Sequence, residues 1–313
     1  MSVTQNQKPD LAQATARVLE KAYPESSRCM PETLWHYTSN ATLLKILESS
    51  SLWTTHVSCV NDTTEVQHLF DLIFQRLNRY SHISGAIPII SLLNSFGNKD
   101  HCTTSDWFIS SFCTDGDDLN LWRAYAGQNG GIAIGFNSQN LFNLALKADR
   151  AVQPPSTLPE TYLFPVIYDR ATKNRLVANL MREIKKLCIC HSANGINVVS
   201  RNYWAAVEDQ IAVVAPLIKH TAFESEKEWR LMIKFGSRSL ESLAFLARQT
   251  TMTRHLPLRF EADGQNIGAL ISEVKIGPGQ HQAITKASVE TLLQSKGYTG
   301  MNVTCSPIPF RSF

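Results

Sequence analysis

Apolar positions along the chain follow two rhythms, and the clearest is a period of two. In EKEWRLMIKF, residues 226–235, Trp229, Leu231 and Ile233 fall on one side of an extended chain, and Glu228, Arg230 and Met232 on the other. That alternation predicts a strand. DWFISSFC, residues 106–113, is instead a nearly continuous apolar run with aromatics and predicts a buried strand. Further strands are expected at Leu34–Thr38, Leu52–Thr55, 131–136, 161–169, 256–260, 269–277 and 301–310, with Pro165 marking an edge or a bulge. Helical spacing predicts helices over Leu11–Tyr23, Ala41–Glu48, 119–127, Ala171–Cys190, Arg201–Lys219 and Gln282–Gln294. Ser39 or Asn40 can cap the second of these, which buries Leu43, Leu44 and Leu47. Asp62 and Glu65 have capping-box spacing and start a helix toward Arg79.

Strands and helices mix without a regular βαβ rhythm, which predicts an α+β fold. Residues 1–30 read as a polar tail with a short amphipathic helix. Residues 31–313 read as a single domain, interrupted by a helical insertion at about 170–220. Hydrophobic residues make up 43% of the chain and charged residues 18%, which supplies a sizeable core and excludes a disordered chain. A net charge of +3 gives no electrostatic argument for nucleic acid. With no apolar run of membrane-spanning length and no leader-like start, a cytoplasmic protein with no membrane partner is expected. Seven cysteines at irregular spacing fit a reducing compartment better than a disulfide framework.

Most familiar chemical motifs fail on geometry. In CICH, Cys188 and Cys190 stand about 200° apart around a helix and cannot face one ion; no metal site is expected. GQNGGIAIGF lacks the Lys-Ser/Thr of a phosphate loop and follows a helix, so it reads as a turn. No Gly-x-Ser-x-Gly elbow supports a serine triad. The carboxylates of VNDTTE and DGDD read as turns or helix caps. Three features remain: His36, Tyr37 and Thr38 at the end of a strand; Ser110 and Ser111 on an apolar strand, followed by Trp122, Arg123 and Tyr125; and Glu226, Glu228 and Arg230 on one face of a strand. Carboxylates two apart on a strand lie about 7 Å from each other. A lone histidine on a strand is more often a core residue, and a charged strand face more often a solvated one. The combination on three strands is the sharper signal.

The ordered set LWHYTS…LLKILES…LW, ND-x-x-E, ISSF…D…LWRAYAG…GGIAIGF, KH…FESEKEWRL, VKIGP and CSPIPFR resembles a prokaryotic family known as domain of unknown function family 2971, over residues 33–311. That family in turn is similar to the ADP-ribosyltransferase fold, a split, two-sheet α+β core that binds NAD. The resemblance implies one motif residue on each of three strands. His36 matches the first position. Ser110, Ser111 or Tyr125 matches the second. Glu228 matches the third, with Glu226 as the competing choice. It further implies a transferase or glycohydrolase acting on NAD, without a metal, on an acceptor that is protein, nucleic acid or water. Bacterial toxins, effectors and anti-phage enzymes share this fold. Glu228 would then stabilise the ribose cation, His36 a ribose hydroxyl, and Tyr125 or Tyr37 the nicotinamide ring. Arg123 or Arg230 would hold the pyrophosphate. The competing expectation is a non-catalytic module on the same fold that senses a nucleotide or binds a protein.

Overall fold

The computed structural model describes residues 11–24, 29–59, 64–79, 107–127, 130–152, 160–193, 209–236, 238–247, 250–260, 267–298 and 300–309. In chain order the elements are α1 (Leu11–Ala22), β1 (Thr33–Thr38), α2 (Asn40–Ser49), β2 (Ser51–His56), α3 (Thr64–Arg79), β3 (Trp107–Cys113), α4 (Leu119–Tyr125), β4 (Ile132–Asn137) and α5 (Ser138–Arg150). They continue as β5 (Thr161–Pro165), α6 (Arg170–Ala193), β6 (Glu228–Lys234), β7 (Ala244–Ala247), β8 (Met252–Arg259), α7 (Ile267–Leu270), β9 (Ile271–Ile276), α8 (Gln282–Ser295) and β10 (Asn302–Cys305). The expectations for residues 1–10, for Asp62, for 201–208 and for residue 310 lie outside the described residues.

The fold is α+β. The strands form one hydrogen-bonded sheet in the order β10-β9-β4-β1-β3-β2-β8-β7, from which β6 and then β5 branch at β3. Only β9 and β10 pair in parallel among the described strands. Strand β3 is the hub. One edge pairs with β6 along its whole length, from Trp107↔Lys234 to Cys113↔Glu228. The other edge is shared: β2 takes Phe108 and Ile109, while β1 reaches it only at Trp35↔Cys113. The sheet therefore forks beside Ser110, Ser111 and Phe112. Where two sheets are expected from the sequence, β3 joins both sets of strands in one network.

Helices cover both faces. On one, α2, α5 and α8 bury Leu43, Leu47, Leu141, Leu144 and Leu293 against Leu34, Phe112, Phe136, Leu231 and Ile233. On the other, α1, α3 and α6 bury Val18, Leu19, Leu69, Ile73, Leu176 and Leu180 against Trp107, Ile109, Tyr162 and Met232. The alternation of β6 decides the split: Trp229, Leu231 and Ile233 point to the first face, and Met232, with the charged residues, to the second. The amphipathic segment near the N-terminus is thus part of the core.

Three elements depart from expectation. No helix is predicted over 138–150, yet α5 forms there, capped by the Asn137 side chain accepting from the Asn140 N–H. Leu141, Leu144 and Ala145 supply its buried stripe. The helix expected to run to Lys219 instead tightens to a 3-10 turn at Ala215–Leu217. Pro216 sits in that turn and has no N–H to continue a helix. Ile218 then turns extended and bridges Ile167. The short edge strand β7, which no apolar alternation announces, pairs with β8.

Helix α4 ends on a candidate site residue, Tyr125, and is firmly fixed. The Asp118 carboxylate accepts from the N–H groups of Asn120 and Leu121 at 2.7 and 3.2 Å. Trp122 donates to Asp117 at 2.8 Å and packs edge-on to Tyr37. Glycine is required beneath that indole, because a Cβ at Gly277 would lie 2.7 Å from the ring. Asp118→Ala removes the cap and is expected to cost about 1 kcal/mol in chemical denaturation.

Candidate functional site

Glu228 opens β6 opposite Cys113, and its side chain lies on the face that also carries Ser111 and Arg230. Both carboxylate oxygens are occupied. The Arg230 guanidinium donates Nε to Oε1 at 2.8 Å and Nη2 to Oε2 at 3.1 Å. Lys219 Nζ adds a third donor at 3.2 Å from Oε2, and the Ser111 side chain lies on the same face beside the carboxylate. The Glu228 backbone N–H donates to the Tyr168 hydroxyl at 3.2 Å. Arg230 is locked further by donating Nη1 to the Pro216 carbonyl. Burial pushes the Glu228 carboxyl up, but the guanidinium outweighs it, helped by Lys219 and Ser111, and the group is held below its usual range.

Glu226 lies two residues upstream, at the end of the 3-10 segment Thr221–Glu226. The His220 ring accepts the Ala222 N–H at its start, and Lys227, with φ 44°, turns the chain through the left-handed region into β6. A non-glycine residue there costs about 1–2 kcal/mol, so the surroundings must hold the turn. Glu226 Oε2 accepts from Lys219 Nζ at 2.6 Å, and Oε1 from the Tyr125 hydroxyl at 3.0 Å. Burial opposes the Lys219 charge, but Glu228 and then Glu226 hold the ammonium above its usual range. Lys219 also lies 4.9 Å from the centre of the Phe223 ring. Tyr125 is 47% exposed and Phe223 42%, so two open rings border a buried network.

The registers separate the sequence-predicted residues into two groups. Glu226, Glu228, Arg230, Ser111 and Tyr125 converge. His36 does not join them: Trp35, not His36, is level with Cys113, so the imidazole takes the opposite face, on Phe112. Its Nδ1 lies 3.0 Å from the Ser111 carbonyl and therefore carries the proton, leaving Nε2 as an acceptor. Burial pushes the imidazole below its usual range despite that bond. Ser111 links the two groups, its carbonyl held by His36 and its side chain on the face of Glu228.

The remaining predicted residues have other surroundings. The Tyr37 hydroxyl donates to the Asp115 carbonyl at 3.0 Å and accepts the Asp118 N–H at 2.9 Å, so it fixes the loop before α4. Thr38 is buried opposite Ile132, and Ser110 is buried on the face away from Glu228. Arg123 is exposed on α4. Sequence reasoning missed Lys219, Tyr168 and Phe223. Lys219 ends the helix expected from periodicity; only Pro216 hinted that the chain would turn extended just before it.

The molecule is thus an α+β protein with a buried ionic network at the fork of its sheet. Residues 121–231 match the sequence model of a family described as Protein of unknown function (DUF2971). The matched stretch runs from α4 into β6 and contains Tyr125, Lys219, Glu226, Glu228 and Arg230. No curated protein and no solved structure matches the chain. No described helix is long and apolar enough to cross a membrane.

Proposed function

We propose that the polar face at the β3–β6 junction is a dinucleotide site, and that the protein cleaves NAD between nicotinamide and ribose on an ADP-ribosyltransferase-like core. ADP-ribose would pass to water or to a protein or nucleic-acid acceptor. The observation that carries this reading is the acid pair of Glu226, ending the 3-10 segment, and Glu228, opening β6, held by Lys219 and Arg230 beside a fork in the sheet and bordered by an exposed tyrosine. Breaking that glycosidic bond develops positive charge on the ribose. A placed carboxylate stabilises such a cation by a few kcal/mol, roughly 2.7–4 for comparable electrostatic groups.

The two acids suit different parts of that task. Glu228 is 6% exposed with both oxygens bound, which suits an anchor. Glu226 sits nearer solvent with an exposed phenol on one oxygen, which suits the group that meets the ribose. His36 holds the Ser111 carbonyl from the other face and so steadies β3 beside Glu228. The test is release of free nicotinamide from labelled NAD by purified protein, with cell lysate as the acceptor source. Glu226→Gln is expected to lower release by about 100-fold with the melting temperature nearly unchanged. A second reading, a nucleotide-binding module without turnover, is favoured by the saturation of Glu228. It predicts that NAD or ADP-ribose raises the melting temperature while no nicotinamide appears.

A further inference from the structure

Lys219 holds two acids unequally, and the inequality has a consequence for what the site binds. Glu228 keeps two other donors, both from Arg230, if the lysine leaves. Glu226 is fixed by Lys219 at 2.6 Å and by the single hydroxyl of Tyr125. Arg230 cannot move to replace the lysine, because its guanidinium is shared between Glu228 and the Pro216 carbonyl. The ammonium is thus the one exchangeable cation in the described network. It lies beside two exposed rings, Tyr125 and Phe223, where a ligand would enter.

The four charges, Lys219, Arg230, Glu226 and Glu228, sum to zero. An incoming diphosphate gains little from such a cluster as it stands. It gains a charge-assisted partner only by taking the ammonium from Glu226. We propose that Lys219 is an exchangeable latch: in the empty site it positions Glu226, and the diphosphate of a bound dinucleotide replaces that carboxylate as its partner, freeing Glu226 to turn toward the ribose. The proposal rests on the dinucleotide reading and adds to it a positioning residue and an anion subsite.

Competition gives a signature that a purely structural lysine does not. Inorganic pyrophosphate serves as the probe, its binding read by calorimetry and by the phosphorus resonance. Wild type is expected to bind it, and Glu226→Gln to bind it about tenfold more tightly, because the competing carboxylate is gone. Lys219→Met is expected to lose about tenfold or more. Lys219→Arg is expected to stay within roughly threefold, since a guanidinium also pairs with phosphate. Should Lys219→Met fail to fold, the tighter binding of Glu226→Gln beside the nearly unchanged affinity of Lys219→Arg still decides. Equal affinity in Lys219→Met, weaker affinity in Glu226→Gln, or no pyrophosphate binding at all overturns the latch. Nicotinamide release separates the two ideas. Release without the pyrophosphate pattern sinks the latch and leaves the NAD reading; the pattern without release leaves the anion subsite and sinks the reading.

Discussion

Glu228→Gln is expected to lower the stability of the fold by about 3–5 kcal/mol, the range for removing one partner of a buried ion pair. The substitution keeps the shape of the side chain but leaves the Arg230 guanidinium, 2% exposed, facing a neutral amide. An acid whose only task is to meet a ligand would not behave this way; its neutral isostere would leave stability unchanged or improve it. Urea unfolding checks the claim, read as a lower midpoint at an unchanged slope. The double variant Glu228→Gln with Arg230→Met separates the pair from the site around it. Replacing both charges is expected to recover most of the loss, because the cost of the single variant is the stranded cation rather than the missing attraction.

The same pair sets the pH limits. Glu228 titrates below its ordinary value of 4.5 in the folded protein, burial being outweighed by Arg230. Its contribution is therefore fully present above the unfolded value and is lost as pH falls through the folded one. Lys219 runs the other way. Its folded value lies above the ordinary 10.5, with burial outweighed chiefly by Glu228. Its contribution is complete below the unfolded value and is lost as pH rises through the folded one. Glu228→Gln should flatten the acid limb and, by removing one of the two carboxylates that support the ammonium, move the alkaline limb to lower pH.

What the sequence made legible follows the range of the interactions involved. The alternation in 226–235 is local, so β6 and the faces of Glu228, Arg230 and Trp229 could be read directly. The pairing of Ser111 with that face could not, because register is set across strands far apart in the chain. His36 shows the limit most clearly. Its place at the end of a strand was visible, but the one-residue offset that levels Trp35 with Cys113, and so turns the imidazole away from Glu228, depends on where β1 meets β3. Lys219 lay at the end of an apparent helix and reaches the site only because Pro216 ends that helix early. The broad class needed only periodicities; the site needed contacts between elements that no periodicity encodes.

Leu19→Ala is expected to cost about 2–5 kcal/mol, the range for emptying a leucine-sized space in a packed core. Polar composition gives residues 1–30 the look of a tail, and in a tail the same change would fall within about 0.5 kcal/mol. Leu19 is 0% exposed, packed with residues of α3 and α6, and α1 is tied to α6 by Arg17 on Glu183 and by Arg175 on the Ala22 carbonyl. Glu20→Ala, on the exposed side of the same helix, is the control and should leave the unfolding midpoint in place. The result also bears on the ionic site. Tyr23, at the end of α1, stacks on Phe164 at 5.1 Å and donates its hydroxyl to the Pro165 carbonyl. Phe164 is level with Arg230 in the β5–β6 pair. Loosening α1 therefore loosens the packing of β5 beside the arginine that anchors Glu228. Leu19→Ala and Glu228→Gln are expected to cost less together than the sum of their separate losses, since each alone already loosens the surroundings of Arg230.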